Sequence, residues 1–128
     1  MRLLLDTHAF VWWDRTPERL SRRARAALEE GRHEVFVSVA TAWELQIKVQ
    51  AGRLRLEETL AAPFARQLER NGVVLLLVQL AHVLGLAALP RLHGDPFDRI
   101  LVAQAREEDM ALVTGDRRVQ AYAVRTLW

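Results

Sequence analysis

The chain reads as an α/β protein, a three-layer α/β/α sandwich built on a central, mostly parallel sheet of four to five strands. Three observations predict it. Short runs such as Leu3-Leu4-Leu5, Val35-Phe36-Val37 and Leu112-Val113 are almost wholly apolar, which suits strands covered on both faces. Stretches with helical periodicity lie between them, and that alternation implies parallel pairing through crossover helices. The fixed right hand of such crossovers then restricts the topology. A chain of 128 residues is expected to form one domain, residues 1–128, with a hydrophobic core of its own.

Residues 2–5 are too few for a helix and form the first strand, closed by Asp6. Thr7 to Asp14 carries Phe10, Val11, Trp12 and Trp13, a turn of helix or an apolar loop. Pro17 opens an amphipathic helix to Glu30, with Leu20, Ala24, Ala27 and Leu28 on one face, and Gly31 ends it. Residues 34–39 are β-branched and aromatic, a second strand. A helix follows to Gln50 and stops at Gly52. Another runs from about Glu57 to Arg70, and Asn71-Gly72 closes it. Val73 to Val78 reads as a third buried strand, and Leu80 to Leu89 as a short helix ended by Pro90. Asp95-Pro96 marks the next helix start, with Asp as cap and Pro at the first position, and the helix runs to about Glu108. Ala111 to Thr114 is a fourth strand and Val124 to Leu127 a fifth at the edge.

Composition excludes several chemistries. There is no cysteine, so disulfides, thiolate metal sites and cysteine nucleophiles are ruled out. The four histidines form no spaced metal box. No glycine-flanked serine sits at a strand-to-helix turn, and the glycines form neither common phosphate loop. His33 and His82 look incidental, whereas His8 and His93 lie near acids. No basic-then-apolar leader opens the sequence, and no apolar run approaches a bilayer span, so a soluble cytoplasmic protein is expected. The net charge is +2, and of eighteen Lys and Arg residues only Lys48 is lysine. That arginine bias suits phosphate, but a GC-rich genome produces it equally well.

Most of the sixteen acidic residues sit in polar company and read as solvated faces. Asp6, Glu44, Asp98 and Asp116 do not. Asp6 ends the first strand, Asp116 follows the fourth across Thr114-Gly115, and Glu44 and Asp98 lie early in helices rich in apolar residues. In a parallel sheet the strand carboxyl ends and the helix N-termini share one edge, where open α/β folds bind ligands. Four carboxylates converging there repel one another unless a cation sits among them, and oxygen-only donors suggest Mg²⁺ or Mn²⁺. Such a site supports phosphodiester hydrolysis with metal-activated water. Each acid also has a plainer role open to it: Asp6 and Asp116 as turn residues, Glu44 as the capping-box partner of Thr41, Asp98 as a cap. Asp95 already supplies the last cap, and Ser38 can cap the helix that carries Glu44.

Taken in order, Leu5-Asp6-Thr7, Val37-Ser38 leading to Glu44, Asp95-Pro96-Phe97-Asp98-Arg99 with Ala103-Gln104-Ala105, and Leu112-Val113-Thr114-Gly115-Asp116 resemble the PIN-domain ribonucleases. Within them the match is to VapC-type toxins of bacterial toxin–antitoxin pairs, over essentially the whole chain. The resemblance implies a PIN-like fold, a Mg²⁺ or Mn²⁺ site, endoribonuclease activity on an RNA substrate, a homodimer, and a small antitoxin protein that occludes the cleft. Its acids carry over to Asp6, Glu44, Asp98 and Asp116, and Thr114 matches the hydroxyl residue supporting the last of them. Asp95 is a second-tier candidate.

Arg99, Arg117 and Arg118 flank the acids and could meet RNA phosphates; solvated surface is the plainer reading. Phe10, Trp12, Trp13 and Trp43 are either core or a patch for a partner. Two other functions compete. A non-catalytic PIN-like binding scaffold conflicts with the complete acidic set. A phospho-acceptor receiver requires paired acids after the first strand and an Asp ending the third, whereas Thr7-His8 and Gln79 stand there.

Overall fold

The computed structural model of the chain describes residues 1–128. The first half runs β1 (Arg2–Leu5), α1 (Thr7–Arg15), α2 (Arg22–Glu29), β2 (Glu34–Ser38), α3 (Val39–Gln50) and α4 (Ala61–Arg70). The second half runs β3 (Val74–Leu76), α5 (Leu80–Gly85), α6 (Pro96–Glu107), β4 (Ala111–Val113), α7 (Arg117–Gln120) and β5 (Thr126–Leu127). Short 3-10 turns occupy Pro17–Arg19 and Leu86–Ala88.

The sheet has five strands in the order β3-β2-β1-β4-β5, and every pairing is parallel. β1 lies in the middle, with Leu4 opposite Phe36 on one side and Leu112 on the other. Successive side chains point to opposite faces, so a strand buried on both must be apolar throughout. Leu3 and Leu5 accordingly enter one core with Phe10, Leu28 and Leu45, while Leu4 enters a second with Leu101, Val102, Met110 and Tyr122. Helices cover both faces, which makes the three layers.

Several elements differ from expectation for identifiable reasons. The sheet is wholly rather than mostly parallel. Thr7–Arg15 is a full helix, capped by Asp6. The segment from Pro17 breaks: Pro17–Arg19 is a 3-10 turn, and α2 starts afresh after Ser21, whose hydroxyl accepts the Ala24 amide at 3.0 Å. The helix placed from Glu57 begins at Ala61, because Pro63 has no amide to donate and fits only the first turn. Leu80–Leu89 divides into α5 and a 3-10 turn. The third strand shrinks to Val74–Leu76 and is not buried: it pairs only with β2, and Val74 and Leu75 are exposed at this sheet edge.

After β1 the chain winds outward through β2 and β3, then crosses to the other side of β1 for β4 and β5. The reversal falls between β1 and β4. Connections leaving those two strands diverge, and the crevice between them at the carboxyl edge is where such sheets place ligands. Asp6 ends β1 and Asp116 follows β4.

Candidate active-site cleft

The Asp6 amide donates to the Val113 carbonyl at 3.1 Å, which locks the end of β1 to β4. Its Oδ1 accepts the Ala9 amide at 2.7 Å and so caps α1. Across the reversal, the Asp116 amide donates to Thr114 Oγ1 at 3.1 Å. Asp116 Oδ1 accepts the Arg118 amide at 2.9 Å, and its carboxylate pairs with the Arg118 guanidinium at 2.9 Å. Asp6 and Asp116 line the same cavity, about 380 Å³, together with His8, Trp12, Arg19 and Trp128.

α6 supplies Asp98. Asp95 Oδ1 accepts the amides of Phe97 and Asp98 at 2.9 and 3.3 Å, so the cap and the projecting acid are separate residues. Asp98 Oδ2 lies 3.1 Å from His93 Nε2, and His93 Nδ1 lies 2.8 Å from the Tyr122 hydroxyl. Arg99 donates to that same hydroxyl at 3.0 Å and to the Pro90 carbonyl at 2.8 Å.

Glu44 arrives from α3. Ser38 caps that helix by accepting the Ala40 amide at 3.0 Å, which leaves Glu44 further inside and free of capping. Glu44 is buried, accepts the Thr7 hydroxyl at 2.7 Å, and pairs with Lys48 Nζ at 2.9 Å one turn on.

The acids are electrostatically distinct. Burial pushes Asp6 up to about 6, against the Thr114 hydroxyl and the Ala9 amide, and the charge of Asp98 adds to the rise. Burial likewise raises Asp98; its hydrogen bond to His93 opposes this, and the charges of Asp95 and Glu44 reinforce it. Asp116 moves the other way, lowered first by its hydrogen bond to Arg118. Asp98 therefore lies within electrostatic reach of both Asp6 and Glu44, and Asp116 shares a cavity with Asp6.

As the side chains stand, no three acids close around one point. Each of the outer three is held by a neighbour: Asp98 by His93, Asp116 by Arg118, Glu44 by Thr7 and Lys48. The donor chemistry nonetheless fits a hard divalent cation. Every candidate ligand is a carboxylate oxygen, the donor type that hard divalent cations take.

All four predicted acids thus reach the carboxyl edge of the sheet, with Asp95 as cap and Thr114 supporting Asp116. The three flanking arginines divide. Arg117 is exposed, Arg118 is committed to Asp116, and Arg99 is folded against Tyr122, its guanidinium 5.9 Å from the ring centre. Phe10 is core, Trp12 and Trp13 pack half-buried against it, and Trp43 is 64% exposed, edge-on to Phe97. His82 is not incidental: fully buried, it lies 2.9 Å from Glu108 and holds the Gln79 amide through Nδ1 at 3.0 Å. His93, Tyr122, Thr7 and Lys48 brace the acids without having been singled out as braces. Two had a local signal: Lys48 through the Glu-to-Lys spacing of four on a helix, and His93 through its place five residues before Asp98.

The model of the PIN domain family matches residues 3–125, and the chain belongs to that family. Among characterised relatives it is similar to Ribonuclease VapC22 of Mycobacterium tuberculosis, 32% identical over 121 residues, 94% of this chain and 91% of that protein. Its fold is similar to VapBC2 from Rickettsia felis bound to a DNA fragment from their promoter, with a TM-score of 0.75 at 16% identity, covering 98% of this chain and 97% of the other. It also resembles VapBC-1 from nontypeable Haemophilus influenzae, with a TM-score of 0.65 at 18% identity and coverage of 98% and 96%.

Proposed function

We propose that this protein is a divalent-metal-dependent endoribonuclease and the toxin half of a toxin–antitoxin pair. The observation that carries the reading is the acidic cavity at the sheet's reversal, which Asp6 and Asp116 both line, with Asp98 within electrostatic reach of Asp6 and of Glu44. Membership of the PIN family and the likeness to a VapC ribonuclease support it.

Asp6, Asp98 and Asp116 would hold Mg²⁺ or Mn²⁺, with Glu44 completing the set or orienting the attacking water. When bound, the ion supplies Lewis acidity and neutralises charge at the phosphodiester. The chain's own residues do the rest. Asp95 and Ser38 fix the helices that present Asp98 and Glu44, Thr114 fixes the turn that presents Asp116, and His93 sets the rotamer of Asp98. Exposed Arg117 would meet a phosphate of the RNA, and Arg118 would do so on leaving Asp116.

A small antitoxin would neutralise the enzyme by covering this cleft. A second copy of the chain fits elsewhere, on an apolar groove of about 470 Å³ between α3, α5 and α6 lined by Trp43, Val83, Leu86, Phe97 and Ile100. Exposed apolar surface of that kind marks an association face. No helix is long and apolar enough to cross a membrane.

The direct test is RNA cleavage with and without Mg²⁺, comparing wild type with Asp98→Asn. Cleavage should require the ion and fall by at least about 100-fold in the variant, the scale on which one electrostatic contact to a transition state acts. The circular dichroism spectrum should be unchanged. Full activity in Asp98→Asn, or cleavage that survives chelation, would remove the assignment.

A further inference from the structure

The acidic cavity has an aromatic wall. Trp12 and Trp128 meet there with ring centres 5.9 Å apart and planes tilted by 54°. Trp128 lies so close over Gly115 that a Cβ at that position would stand 2.6 Å from its ring. Gly115 is therefore the residue that lets an indole lie against the turn presenting Asp116. His8 sits against Trp12 with ring centres 5.5 Å apart, and the Arg19 guanidinium lies 4.6 Å from the Trp12 ring centre. Two indoles thus border the same cavity as two of the acids.

That corner leads into a second groove. A cavity of about 460 Å³ between α1 and α3 shares His8, Trp12 and Arg19 with the first, and continues past Arg15, Lys48 and Arg53. His8, Val11, Trp12 and Arg15 fall at i, i+3, i+4 and i+7, one stripe of α1. Gly52 ends α3 in the left-handed region at φ 71°, and the Arg53 amide returns to the Lys48 carbonyl at 2.9 Å, which brings Arg53 back beside Lys48. The groove is lined by four cationic side chains and by no carboxylate. Lys48 is already paired to Glu44, which leaves Arg15, Arg19 and Arg53 as the groove's unpaired cations.

Cations along a groove suit a phosphate backbone, and aromatic rings at its end suit unpaired bases, since every base offers a π-face. A duplex has its bases stacked inside and cannot offer one to a side wall. We propose that the Trp12–Trp128 corner is a stacking site for an unpaired RNA base beside the bond to be cut, and that the Arg15–Lys48–Arg53 groove carries the adjoining single-stranded backbone. This rests on the ribonuclease reading of the acidic cavity. It adds an aromatic subsite beside the acids, and names Trp128 as the residue that grips a base there.

Binding is measured in EDTA, which suspends cleavage, using a fluorescent single-stranded RNA of twelve nucleotides and its matched duplex. The single strand should bind more tightly and quench indole fluorescence. Trp128→Ala should weaken it by about 5- to 150-fold, equivalent to ~1–3 kcal/mol for one stacked base, and Trp128→Phe should recover most of the loss. The double variant Arg15→Ala/Arg53→Ala should flatten the salt dependence of log K by about 1.4, from roughly 0.7 per phosphate on a single strand. An abasic scan of the RNA against the wild-type protein needs no variant to fold, and should show one nucleotide whose base matters most.

Binding indifferent to Trp128, an abasic scan with no preferred position, or a duplex bound as tightly as the single strand would each overturn the proposal. Indole fluorescence unmoved by saturating RNA would do the same, and would leave the groove to a protein segment. The two readings fail separately. Tryptophan-dependent binding by a protein that never cleaves RNA with Mg²⁺ removes the ribonuclease reading alone. Mg²⁺-dependent cleavage by a protein whose RNA binding ignores Trp128 removes the stacking site alone.

Discussion

Asp6 does three things with one carboxylate: it caps α1, faces the cavity shared with Asp116, and feels the charge of Asp98. Its folded-state pKa of about 6 lies above its ordinary value, so the folded protein binds this proton more tightly than the unfolded chain. The stability this contributes is complete below about pH 4 and is lost as pH rises through about 6. Asp6→Asn keeps an oxygen for the Ala9 amide and removes the charge. In EDTA the variant should be more stable than wild type at pH 8, by up to ~3 kcal/mol at 1.36 kcal/mol per unit, and the gap should close towards pH 4. Mn²⁺ should then raise the melting temperature of wild type and leave Asp6→Asn unmoved. A gap that does not change with pH would contradict the burial account. Asp116, with its lowered pKa, acts in the opposite sense: what it contributes is present above its unfolded pKa and lost on acidification, and its partial exposure keeps that contribution small. That Asp6, Asp98 and Asp116 stand at the sheet's carboxyl edge was legible because strand ends and helix starts are local features, and Glu44 follows from the cap at Ser38. The grip of Thr7 on Glu44 was not, since it joins residues far apart in the chain that only the fold brings together.

Helix starts show how local signals compete. Pro17 and Ser21 both announce a helix, four residues apart, and the protein uses both: a 3-10 turn after the first and α2 after the second. Reading the proline alone merges them. Ser21→Ala should therefore cost about 1 kcal/mol, a melting shift of roughly 4 °C for a chain of this size, whereas a continuous helix would barely register the change. α6 gives a cleaner case, because Asp95 and Asp98 occupy adjacent functions on one turn. Asp95→Asn preserves the cap and should leave RNA cleavage within a few-fold of wild type. The same replacement at Asp98 should abolish it. Equal losses at the two positions would show that both acids act in the cleft. β3 was misread because an apolar run looks alike at the centre of a sheet and at its edge. Partner strands decide burial, and they lie outside the run itself.

The molecule as a whole pairs a buried sheet with one unusually apolar flank. Leu80, Leu84 and Trp43 are each more than 60% exposed, on or beside the groove between α3, α5 and α6. A second copy seated there would bury surface that water now contacts. Wild type should sediment as a dimer, and Trp43→Glu as a monomer with unchanged circular dichroism. A wild-type monomer at tens of micromolar would remove the dimer, and a dimeric Trp43→Glu would place the interface elsewhere. Alternating apolar strands and helices were enough to anticipate the three layers. The strand order was not legible, because right-handed crossovers are compatible with winding to either side of β1. That choice of side creates the crevice.

The insertion of β4 beside β1 also sets when the cleft can exist. Asp6 is synthesised more than a hundred residues before Asp116, and the strands carrying them become neighbours only across that length of chain. Contacts of such long range form late, because the loop must close before they reward it. A nascent or truncated chain ending before Ala111 contains Asp6, Glu44 and Asp98 but has no strand to hold β1 from the other side and no Asp116. A fragment of that kind should therefore cleave no RNA, since one wall of the cleft is missing from it.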